Sequence, residues 1–334
     1  MSRILITGGA GFIGYHLAKR LSEQNHTVII CDNFLRGKLD NDLQDLLEKY
    51  DNCELVNCDL ANKEGLKNLG GSYNYVYHLA ALMSVKYATE MPEKVLRDNV
   101  LSTINILDWF LESKSGRILF SSTSETYSAA IEHYTLPIPT PEDVPLIIDD
   151  AFNPRYSYKA SKILGELLFI NYARAHNINM SIMRYHNIYG PRMGFEHVIS
   201  ELSMRILNQE NPFKLYSPNQ SRAFCYVEDA VDATIKVAES EKASSEIINI
   251  GNDAEEISIS TLASKLFKVA GFFPEVEPLP SPPGSPDRRC PAINKLRDVT
   301  GFKPKIALDE GLPRTFEWYR KHYEETGYGK GKGV

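Results

Sequence analysis

The feature that most constrains this chain is a glycine-rich turn close to its start. An apolar run at residues 4–6 leads into Gly8, Gly11 and Gly14, and a helix-like stretch follows at once. Glycines at these places permit a tight turn, let a phosphate reach the backbone and allow the helix to pack closely on the strand. The free N–H groups and partial positive charge of the helix N-terminus favour an anion. The spacing therefore predicts a phosphate-binding turn between a strand and a helix.

The next strand-like run supports a dinucleotide as the anion. Alone, a glycine triplet also fits a plain strand–turn–helix junction. Residues 27–31 are apolar and end at Asp32, which is placed to accept hydrogen bonds from an adenosine ribose. A 2′-phosphate there would meet like charge, so the sequence predicts NAD as the cofactor, with NADP left open by Arg36 and Lys38 just beyond.

Strand-like and helix-like stretches alternate through the first half of the chain, which indicates parallel strands with crossover helices. The sequence therefore predicts an α/β protein with a Rossmann-type doubly wound parallel sheet and a smaller C-terminal substrate-binding lobe. Further strand-like runs cover residues 54–58, 74–79, 117–121, 181–185 and 247–250. Ligands bind such sheets at the carboxyl ends of the strands, so Asp32, Asp59, Ala80, Ala81 and the residues after Phe120 should line one crevice.

Charge and composition exclude several classes of function. A net charge of −6 offers no basic face for nucleic acid, and no apolar run approaches the length of a membrane span. The five cysteines show neither a Cys-x-x-Cys pair nor metal-ligand spacing, and a strand begins at residue 3. We therefore expect a cytoplasmic protein with no signal peptide, no metal site and no nucleic-acid or membrane partner.

Two segments carry the groups for catalysis. Tyr158 and Lys162 open a helical run, and their four-residue spacing places both on one helix face. An ammonium beside the phenol stabilises the phenolate that a tyrosine must form to act as a base. The hydroxyl-rich residues 121–127 follow a strand, where they can share a substrate proton with Tyr158. Taken separately, these motifs also fit a solvated helix pair and a serine turn; behind a dinucleotide-binding turn they indicate catalysis.

As a set, these motifs resemble the extended short-chain dehydrogenase/reductases that modify nucleotide sugars, the epimerase/dehydratase family. The resemblance runs from residue 3 to about 320 and rests on the glycine triplet, residues 78–81, Thr123, the Tyr158/Lys162 pair and residues 184–192. It implies a tightly held NAD and a hydride taken from sugar C4. It also implies that Tyr158 is the base on the C4 hydroxyl, Thr123 its hydrogen-bond partner and Lys162 its electrostatic support.

The resemblance also implies the remaining site residues and the division of the chain. We expect residues 1–186, with returns from about 222–252, to form the NAD-binding domain, residues 187–326 mainly the nucleotide-sugar-binding lobe, and residues 327–334 a flexible tail. Residues 274–291, rich in proline, should form a surface loop. Besides Tyr158 and Lys162, the cofactor should contact Gly8, Gly11, Phe12, Ile13, Gly14, Asp32, Asn33, Asp59, Leu60, Leu79, Ala80, Ala81 and Asn99. The nucleotide sugar should contact Ser84, Asn187, Arg192, Arg222 and Arg289.

The triplet Thr123, Ser124 and Glu125 bears on the reaction. Plain 4-epimerases of the family usually carry small or apolar residues there, whereas Glu125 is similar to UDP-glucuronate decarboxylases and to GDP-mannose 4,6-dehydratases. The region around Arg289 resembles the end of the decarboxylases, so we expect a UDP-glucuronate decarboxylase-like enzyme with Thr123, Ser124, Glu125, Tyr158 and Lys162 as catalytic residues. Ser128, where the family has glycine, and His186, where it has phenylalanine, depart from that pattern, as does the long stretch 129–154.

Other functions stay open from the sequence. A 4,6-dehydratase, a 4-epimerase and a net 4-dehydrogenase would carry the same motifs, and a silent NAD-binding sensor would keep the glycines but lose the tyrosine or lysine. Family members usually pair through two helices per subunit, and residues 101–111 and 163–173 carry enough apolar positions for that contact. We therefore expect a homodimer.

Overall fold

A seven-stranded parallel sheet forms the centre of the molecule. The computed structural model describes residues 1–281 and 286–327. The strands are β1 (Arg3–Thr7), β2 (Thr27–Asp32), β3 (Cys53–Asn57), β4 (Tyr75–His78), β5 (Arg117–Thr123), β6 (Met180–Tyr185), β7 (Ile188–Tyr189), β8 (Phe213–Tyr216), β9 (Ser221–Ala223), β10 (Cys225–Tyr226), β11 (Ile247–Ile250), β12 (Glu256–Ser258), β13 (Val276–Leu279) and β14 (Arg288–Arg289). The helices are α1 (Phe12–Glu23), α2 (Asn41–Lys49), α3 (Val85–Glu90), α4 (Pro92–Ser113), α5 (Ser128–His133), α6 (Tyr156–His176), α7 (Val198–Leu207), α8 (Val227–Glu239), α9 (Ile259–Ala270), α10 (Asn294–Thr300) and α11 (Leu308–Thr326).

The order of the strands fixes where a ligand can bind. The large sheet runs β11-β6-β5-β4-β1-β2-β3, so the chain moves one way from β1 to β3 and then the other way from β4 to β6. Thr7, the last residue of β1, pairs with Cys31 of β2 on one side and His78 of β4 on the other. The reversal at β1 and β4 creates a crevice at the carboxyl ends of these strands. The α/β fold class and the doubly wound parallel sheet are confirmed.

Helices cover both faces of this sheet, which explains why its strands are apolar throughout. Ile6 and Ile30 belong to the larger core cluster, together with residues of α1 and α8. Their strand neighbours Leu5 and Ile29 point to the opposite face, into the cluster formed with α4 and α6. Alternate residues of each strand are therefore buried on alternate faces.

Smaller sheets follow the large one and bring distant parts of the chain together. A three-stranded sheet has the order β12-β9-β14, and β14 runs parallel to β9 with Arg289 opposite Arg222. A second pairs β13 with β8. The surface loop expected at 274–291 is therefore wrong for β13 and β14, because both pair with strands of the preceding chain; residues 282–285 of that stretch lie outside the described residues. So does the expected flexible tail, apart from Gly327.

The segment between α5 and α6, residues 134–155, packs against the C-terminal part of the chain. Thr140 N–H donates to the carbonyl oxygen of Cys290 (2.8 Å), and Ala292 N–H donates to that of Thr140 (2.9 Å). These bonds hold the 134–155 segment next to Arg289. In the parts of the chain that the structure describes, no helix combines the length and the apolar character needed to cross a bilayer.

Candidate active site

The turn between β1 and α1 has room for a ligand but none for side chains. Gly8 has φ +72°, and a Cβ there would lie 2.7 Å from the backbone of Ala80. A Cβ on Gly14 would collide with the carbonyl oxygen of Gly8, and one on Gly11 would lie 3.1 Å from the same atom. Gly11 begins α1 with no side chain capping the helix. The first N–H groups of α1, at Phe12 and Ile13, therefore remain for an anion, and this cradle fits the pyrophosphate of a dinucleotide.

Asp32 ends β2 beside this cradle. Its carboxylate accepts hydrogen bonds from the backbone N–H groups of Ala10 (3.1 Å) and Phe34 (2.9 Å). Burial raises the pKa of Asp32, while these hydrogen bonds and the Arg192 guanidinium act to lower it. A Cβ on Gly37 would lie 2.9 Å from both carboxylate oxygens. Glycine therefore leaves the carboxylate space for a ribose.

Arg36 points away from Asp32, although the two residues are close in the sequence. Its Nη2 lies 3.6 Å from the place that a Cβ on Gly194 would occupy. Its charge interacts with the Tyr158 and Glu196 side chains. Arg36 thus faces the substrate side of the crevice. This placement removes one of the two basic side chains that left NADP open.

The other expected cofactor contacts lie at the carboxyl ends of β2, β3 and β4. Asn33 and Asp59 cap the turns after β2 and β3 through Leu35 N–H (3.0 Å) and Ala61 N–H (3.1 Å). Leu60 is buried, and Leu79, Ala80 and Ala81 follow β4, where Ala80 N–H donates to Thr7 Oγ1 (3.3 Å). These residues line the predicted crevice.

Asn99, another expected cofactor contact, makes three hydrogen bonds within the protein. Its amide nitrogen donates to the carbonyl oxygen of Leu82 (3.1 Å) and to Ser161 Oγ (3.0 Å), and its oxygen accepts from Leu82 N–H (2.7 Å). Both amide hydrogens are thus used within the protein. Asn99 ties the chain after β4 to α6 and so shapes the crevice.

Arg192, an expected substrate contact, pairs with a carboxylate of the same chain. Its Nε and Nη2 donate to the carboxylate of Asp40 at 2.9 and 2.8 Å, and its Nη1 lies 3.4 Å from the carbonyl oxygen of Gly11. The guanidinium, 5% exposed, is thereby fixed at the cofactor side of the crevice. The structure does not place it with Arg222 and Arg289.

Tyr158 lies in the first turn of α6 and forms a side-chain hydrogen bond with Thr123 at the end of β5. Burial raises the pKa of the Tyr158 phenol above its ordinary value; the Arg36 guanidinium and the Thr123 hydrogen bond lower it, and the Glu125 carboxylate raises it. Without further positive charge, Tyr158 is therefore protonated at neutral pH.

Lys162 lies one turn further along α6, as the spacing predicted. Its Nζ donates to the carbonyl oxygen of Ser121 (2.7 Å) and lies 5.9 Å from the centre of the Tyr158 ring. Burial lowers the pKa of the Lys162 ammonium to about 7, although the charge of Glu166 acts to raise it. Lys162 is thus near the phenol but not in hydrogen-bond contact with it.

Glu125 forms an ion pair with Arg289, 164 residues further along the chain. Their second contact, Arg289 Nη2 to Glu125 Oε2, measures 3.5 Å. Burial opposes ionisation of Glu125, but Arg289, Lys159 and Arg155 outweigh it and hold the pKa of Glu125 below its ordinary value. Arg289 Nε is buried and has no hydrogen-bond partner in the described structure.

Arg222 lies beside Arg289 because their strands are paired. Its Nη1 donates to the carbonyl oxygen of Ser221 (2.8 Å), and its Nη2 to Gln220 Oε1 (2.9 Å). Burial, followed by the charge of Arg289, lowers the pKa of Arg222 to about 10. Two neighbouring guanidiniums in one crevice favour an anionic ligand.

Ser84 and Asn187 are the remaining expected substrate contacts. Ser84 caps α3 by accepting from Tyr87 N–H (3.0 Å). Asn187 has φ +42° between β6 and β7, and its amide donates to the carbonyl oxygen of Ala223 (3.0 Å). Asn187 therefore joins the large sheet to the strand that carries Arg222.

A buried polar network joins α6, β6 and β11 to the turn after β5, and sequence reasoning missed it. Arg184 forms a two-point ion pair with Glu166 (2.8 and 2.6 Å) and donates to Tyr127 Oη (2.7 Å). Asn249 Oδ1 accepts from Tyr127 Oη (2.8 Å) and lies 2.9 Å from His186 Nε2. Burial lowers the pKa of His186 to about 4, so this ring is neutral near pH 7. The polar asparagine inside the apolar run 247–250 was the available sequence signal.

Among the described residues, Glu132, His133 and Asp149 bring three ligand atoms within 4.8 Å of one another. All three residues are exposed, and His133 Nε2 lies 2.9 Å from Asp149 Oδ2. Exposed clusters of this kind are common without a metal, so the cluster gives no reason to revise the sequence prediction.

Comparison with known proteins shows what this site belongs to. Residues 4–251 match the family model described as NAD dependent epimerase/dehydratase family. A UDP-N-acetyl-alpha-D-glucosaminuronate decarboxylase from Bacillus cytotoxicus is 34% identical over 96% of this chain and 98% of its own length. UDP-glucuronic acid decarboxylase 5 from Arabidopsis thaliana is 33% identical over 95% of this chain and 89% of its own.

A solved structure gives the same picture. The UDP-glucuronic acid 4-epimerase from Bacillus cereus, in complex with UDP-glucuronic acid and NAD, superimposes with a TM-score of 0.82 at 26% identity, covering 96% of this chain and all of that one. The predictions of NAD as cofactor and of an enzyme of this type are confirmed. The chain belongs to the NAD dependent epimerase/dehydratase family.

Proposed function

We propose that this protein is a nucleotide-sugar decarboxylase that acts on a UDP-linked uronic acid after oxidising its C4. The observation that carries the proposal is the Glu125–Arg289 ion pair at the mouth of the crevice, next to Arg222. Lys159 and Arg155 add two further positive charges that act on Glu125. Asp149 lies beside Lys159 and Asp287 acts on Arg222. The four cations still outnumber these carboxylates and Glu125 by one, and a diphosphate and a sugar carboxylate would bind to that positive charge.

The charge state of Glu125 favours decarboxylation over dehydration. A 4,6-dehydratase needs a base to remove the C5 proton once C4 is a ketone, and a carboxylate held ionised by an arginine is a weak base. Loss of carbon dioxide from a 4-keto uronic acid needs no proton removal at C5. It needs the C6 carboxylate to be placed and ionised, and Arg289, with its unpartnered Nε–H, suits that task.

The residues divide the work as follows. Bound NAD would supply the acceptor for the C4 hydride. Tyr158 would take the proton of the C4 hydroxyl, with Thr123 sharing that proton and Lys162 stabilising the phenolate. The bond between C5 and C6 then breaks to release carbon dioxide, and its electron pair passes into the C4 carbonyl. Protonation of C5 from solvent, return of the hydride to C4 and return of the Tyr158 proton to the C4 oxygen would complete a redox-neutral turnover.

The relatives favour the same reaction. The Bacillus cytotoxicus and Arabidopsis thaliana relatives are both named as decarboxylases of UDP-linked uronic acids. We propose UDP-glucuronate and UDP-N-acetylglucosaminuronate as the substrates to compare. The 4-epimerase, dehydratase and net 4-dehydrogenase remain as alternatives. The dehydratase product has lost water, the dehydrogenase product has lost two hydrogens and the epimerase product has an unchanged mass.

We further propose two lobes, a cytoplasmic location and a homodimer. Apart from α8 and β11, residues 187–326 would form the lobe that binds the nucleotide sugar. All five cysteines are free and buried, which fits a reducing compartment. Leu101 on α4 and Leu164 and Leu167 on α6 are 38%, 42% and 50% exposed, and the two helices pack along each other. A second copy of this helix pair would cover these leucines.

One incubation distinguishes the candidate reactions. The purified protein with NAD is given UDP-glucuronate, UDP-N-acetylglucosaminuronate and neutral UDP-, GDP-, CDP- and dTDP-hexoses, and the products are read by mass. We expect loss of carbon dioxide from a uronate. Loss of water or two hydrogens from a neutral hexose, with no reaction of either uronate, would replace the decarboxylase by the dehydratase or dehydrogenase.

The Glu125→Gln substitution tests the role of the ion pair. Glu125 would orient Arg289 against the C6 carboxylate. The substitution preserves the shape of the side chain but removes the charge that orients Arg289, so C4 oxidation should proceed while carbon dioxide release slows by about a hundredfold. Reduced nicotinamide should then accumulate on the protein and be visible by its absorbance. An epimerase would be nearly unaffected by this change, and normal carbon dioxide release from the variant would contradict the assignment.

A further inference from the structure

The turn that carries Glu125 is held from α6 by a second buried lysine, Lys159. Its Nζ donates to Ser128 Oγ (3.2 Å), and Ser128 Oγ donates to the main-chain oxygen of Glu125 (2.8 Å). At the other end of the same turn, Lys162 holds Ser121. Two lysines of one helix therefore fix both ends of the segment 121–128.

The surroundings of Lys159 combine burial with a nearby carboxylate and an aromatic ring. The residue is 3% exposed, its Nζ lies 3.7 Å from Asp149 Oδ1, and it lies 3.7 Å from the centre of the Tyr156 ring. Burial lowers the pKa of Lys159, while the carboxylates of Asp149 and Glu125 raise it and Arg289 lowers it. Asp149 belongs to the 134–155 segment, so this segment helps to keep the ammonium charged.

We propose that Lys159 is a positioning residue for the reaction: its ammonium fixes the turn that carries Glu125 and adds the positive charge that keeps Glu125 ionised beside Arg289. The inference rests on the proposed function only in that Glu125 acts on the sugar. Sequence reasoning read Tyr158 and Lys162 and passed over the lysine between them. Its partners, Ser128 and Asp149, lie in the part of the chain that departs from the family pattern.

Other charges face Glu125, and the test must separate them from Lys159. The ionisable groups that interact with Glu125 from the surrounding elements are Arg289, Arg222, Arg155, His186, His197 and Tyr158. His186 and His197 both have pKa values lowered to about 4 by burial, so they are neutral at pH 7. A substitution at Lys159 must therefore be compared with and without Glu125.

A double-mutant cycle in the absence of substrate makes this comparison. Because the folded-state pKa of Glu125 is lowered, its stabilising effect is present above the unfolded-state pKa and is lost as pH falls through the folded one. Lys159→Met should therefore have a less favourable effect on the melting temperature at pH 7 than at pH 3.5. In the Glu125→Gln background this pH dependence should shrink to the part contributed by Asp149, whose pKa Lys159 also lowers. Arg174→Met, an exposed change on the same helix, should have a small effect at both pH values.

Kinetics on whichever nucleotide sugar is turned over separate positioning from charge. Lys159→Met should lower kcat by about tenfold to a hundredfold with little change in KM, and should move the acid limb of the kcat profile to higher pH. Ser128→Ala removes the hydrogen bond but keeps the charge, so kcat should fall without a shift of the limb. Lys159→Arg keeps the positive charge, so the acid limb of its kcat profile should stay at the pH of the native protein.

These experiments test the positioning role of Lys159 separately from the proposed decarboxylase function. An equal cost of Lys159→Met at pH 7 with and without Glu125 would show that Lys159 only fills space. A raised KM with unchanged kcat would show that it binds substrate directly, which also overturns the proposal. If no uronate is turned over, the proposed function fails, while the melting-temperature cycle still decides the role of Lys159.

Discussion

Two side chains of α6, Tyr158 and Lys162, show how burial sets the chemistry of this site. Burial raises the pKa of the phenol and lowers that of the ammonium to about 7, so each group is displaced from its ordinary value towards the neutral form. The phenolate therefore depends on positive charge arriving in the crevice. Arg36, which reaches the same side chain, supplies part of that charge.

Replacing Tyr158 by phenylalanine tests its role as the base. The ring and its packing remain, so NAD should still bind, but C4 oxidation should slow by about a hundredfold or more. Stopped-flow absorbance of reduced nicotinamide measures this step, with NAD binding followed separately by calorimetry. Near-normal oxidation would remove Tyr158 from the mechanism.

Lys162→Met tests the cost of burying the ammonium. The folded-state pKa lies near 7 and the unfolded-state pKa near 10.5, so unfolding takes up a proton between these values and the stability of the native protein rises with pH across that window. The variant has no ammonium at this position, so its stability lacks this dependence on pH. Its melting temperature should therefore exceed that of the native protein most at pH 6.5, and the difference should shrink by pH 9. A difference that grows with pH would contradict the lowered pKa.

At the scale of elements, the cradle shows which features a sequence can predict. The glycine triplet predicted the β1–α1 turn because its demands are local: Gly8 has φ +72°, and a Cβ on Gly11 or Gly14 would crowd the carbonyl oxygen of Gly8. The Glu125–Arg289 ion pair was not predictable in the same way. It depends on the parallel pairing of β14 with β9 and on the bonds of Thr140 to the chain around Cys290, and nothing local in the sequence encodes these registers.

The Gly14→Ala substitution tests the cradle. The added Cβ would collide with the carbonyl oxygen of Gly8, so the turn must open and its N–H groups must shift. NAD affinity should fall by at least about tenfold, measured by calorimetry on protein from which bound cofactor has been removed. Gly71→Ala, where the nearest atom lies 3.9 Å away, is the matched control and should leave the affinity unchanged. Equal affinities of the two variants would contradict the placement of the pyrophosphate.

At the scale of the whole molecule, long-range polar contacts hold the substrate side to the cofactor side. Arg192 joins the chain after β7 to Asp40 in front of α2, whereas Arg184 joins β6 to Glu166 of α6 within the cofactor side. The sequence predicted β6 and α6, which carry Arg184 and Glu166. It could not predict the Arg192–Asp40 pair, because an arginine near a crevice serves equally well as a ligand for phosphate or as a partner for a carboxylate of the same chain.

The assembly gives the last prediction. Leu164 and Leu167 lie partly exposed on α6, which packs along α4, the helix that carries the partly exposed Leu101. Burying a leucine stabilises an interface by about 2 kcal/mol, so a dimer formed through these helices should not tolerate two charges there. We expect the native protein to have the mass of a dimer in light scattering at micromolar concentration, and the double variant Leu164→Glu/Leu167→Glu to be a monomer. Phe273→Glu, at a residue 76% exposed elsewhere on the chain, should remain dimeric. A native monomer, or a double variant that still dimerises, would place the contact elsewhere or remove it.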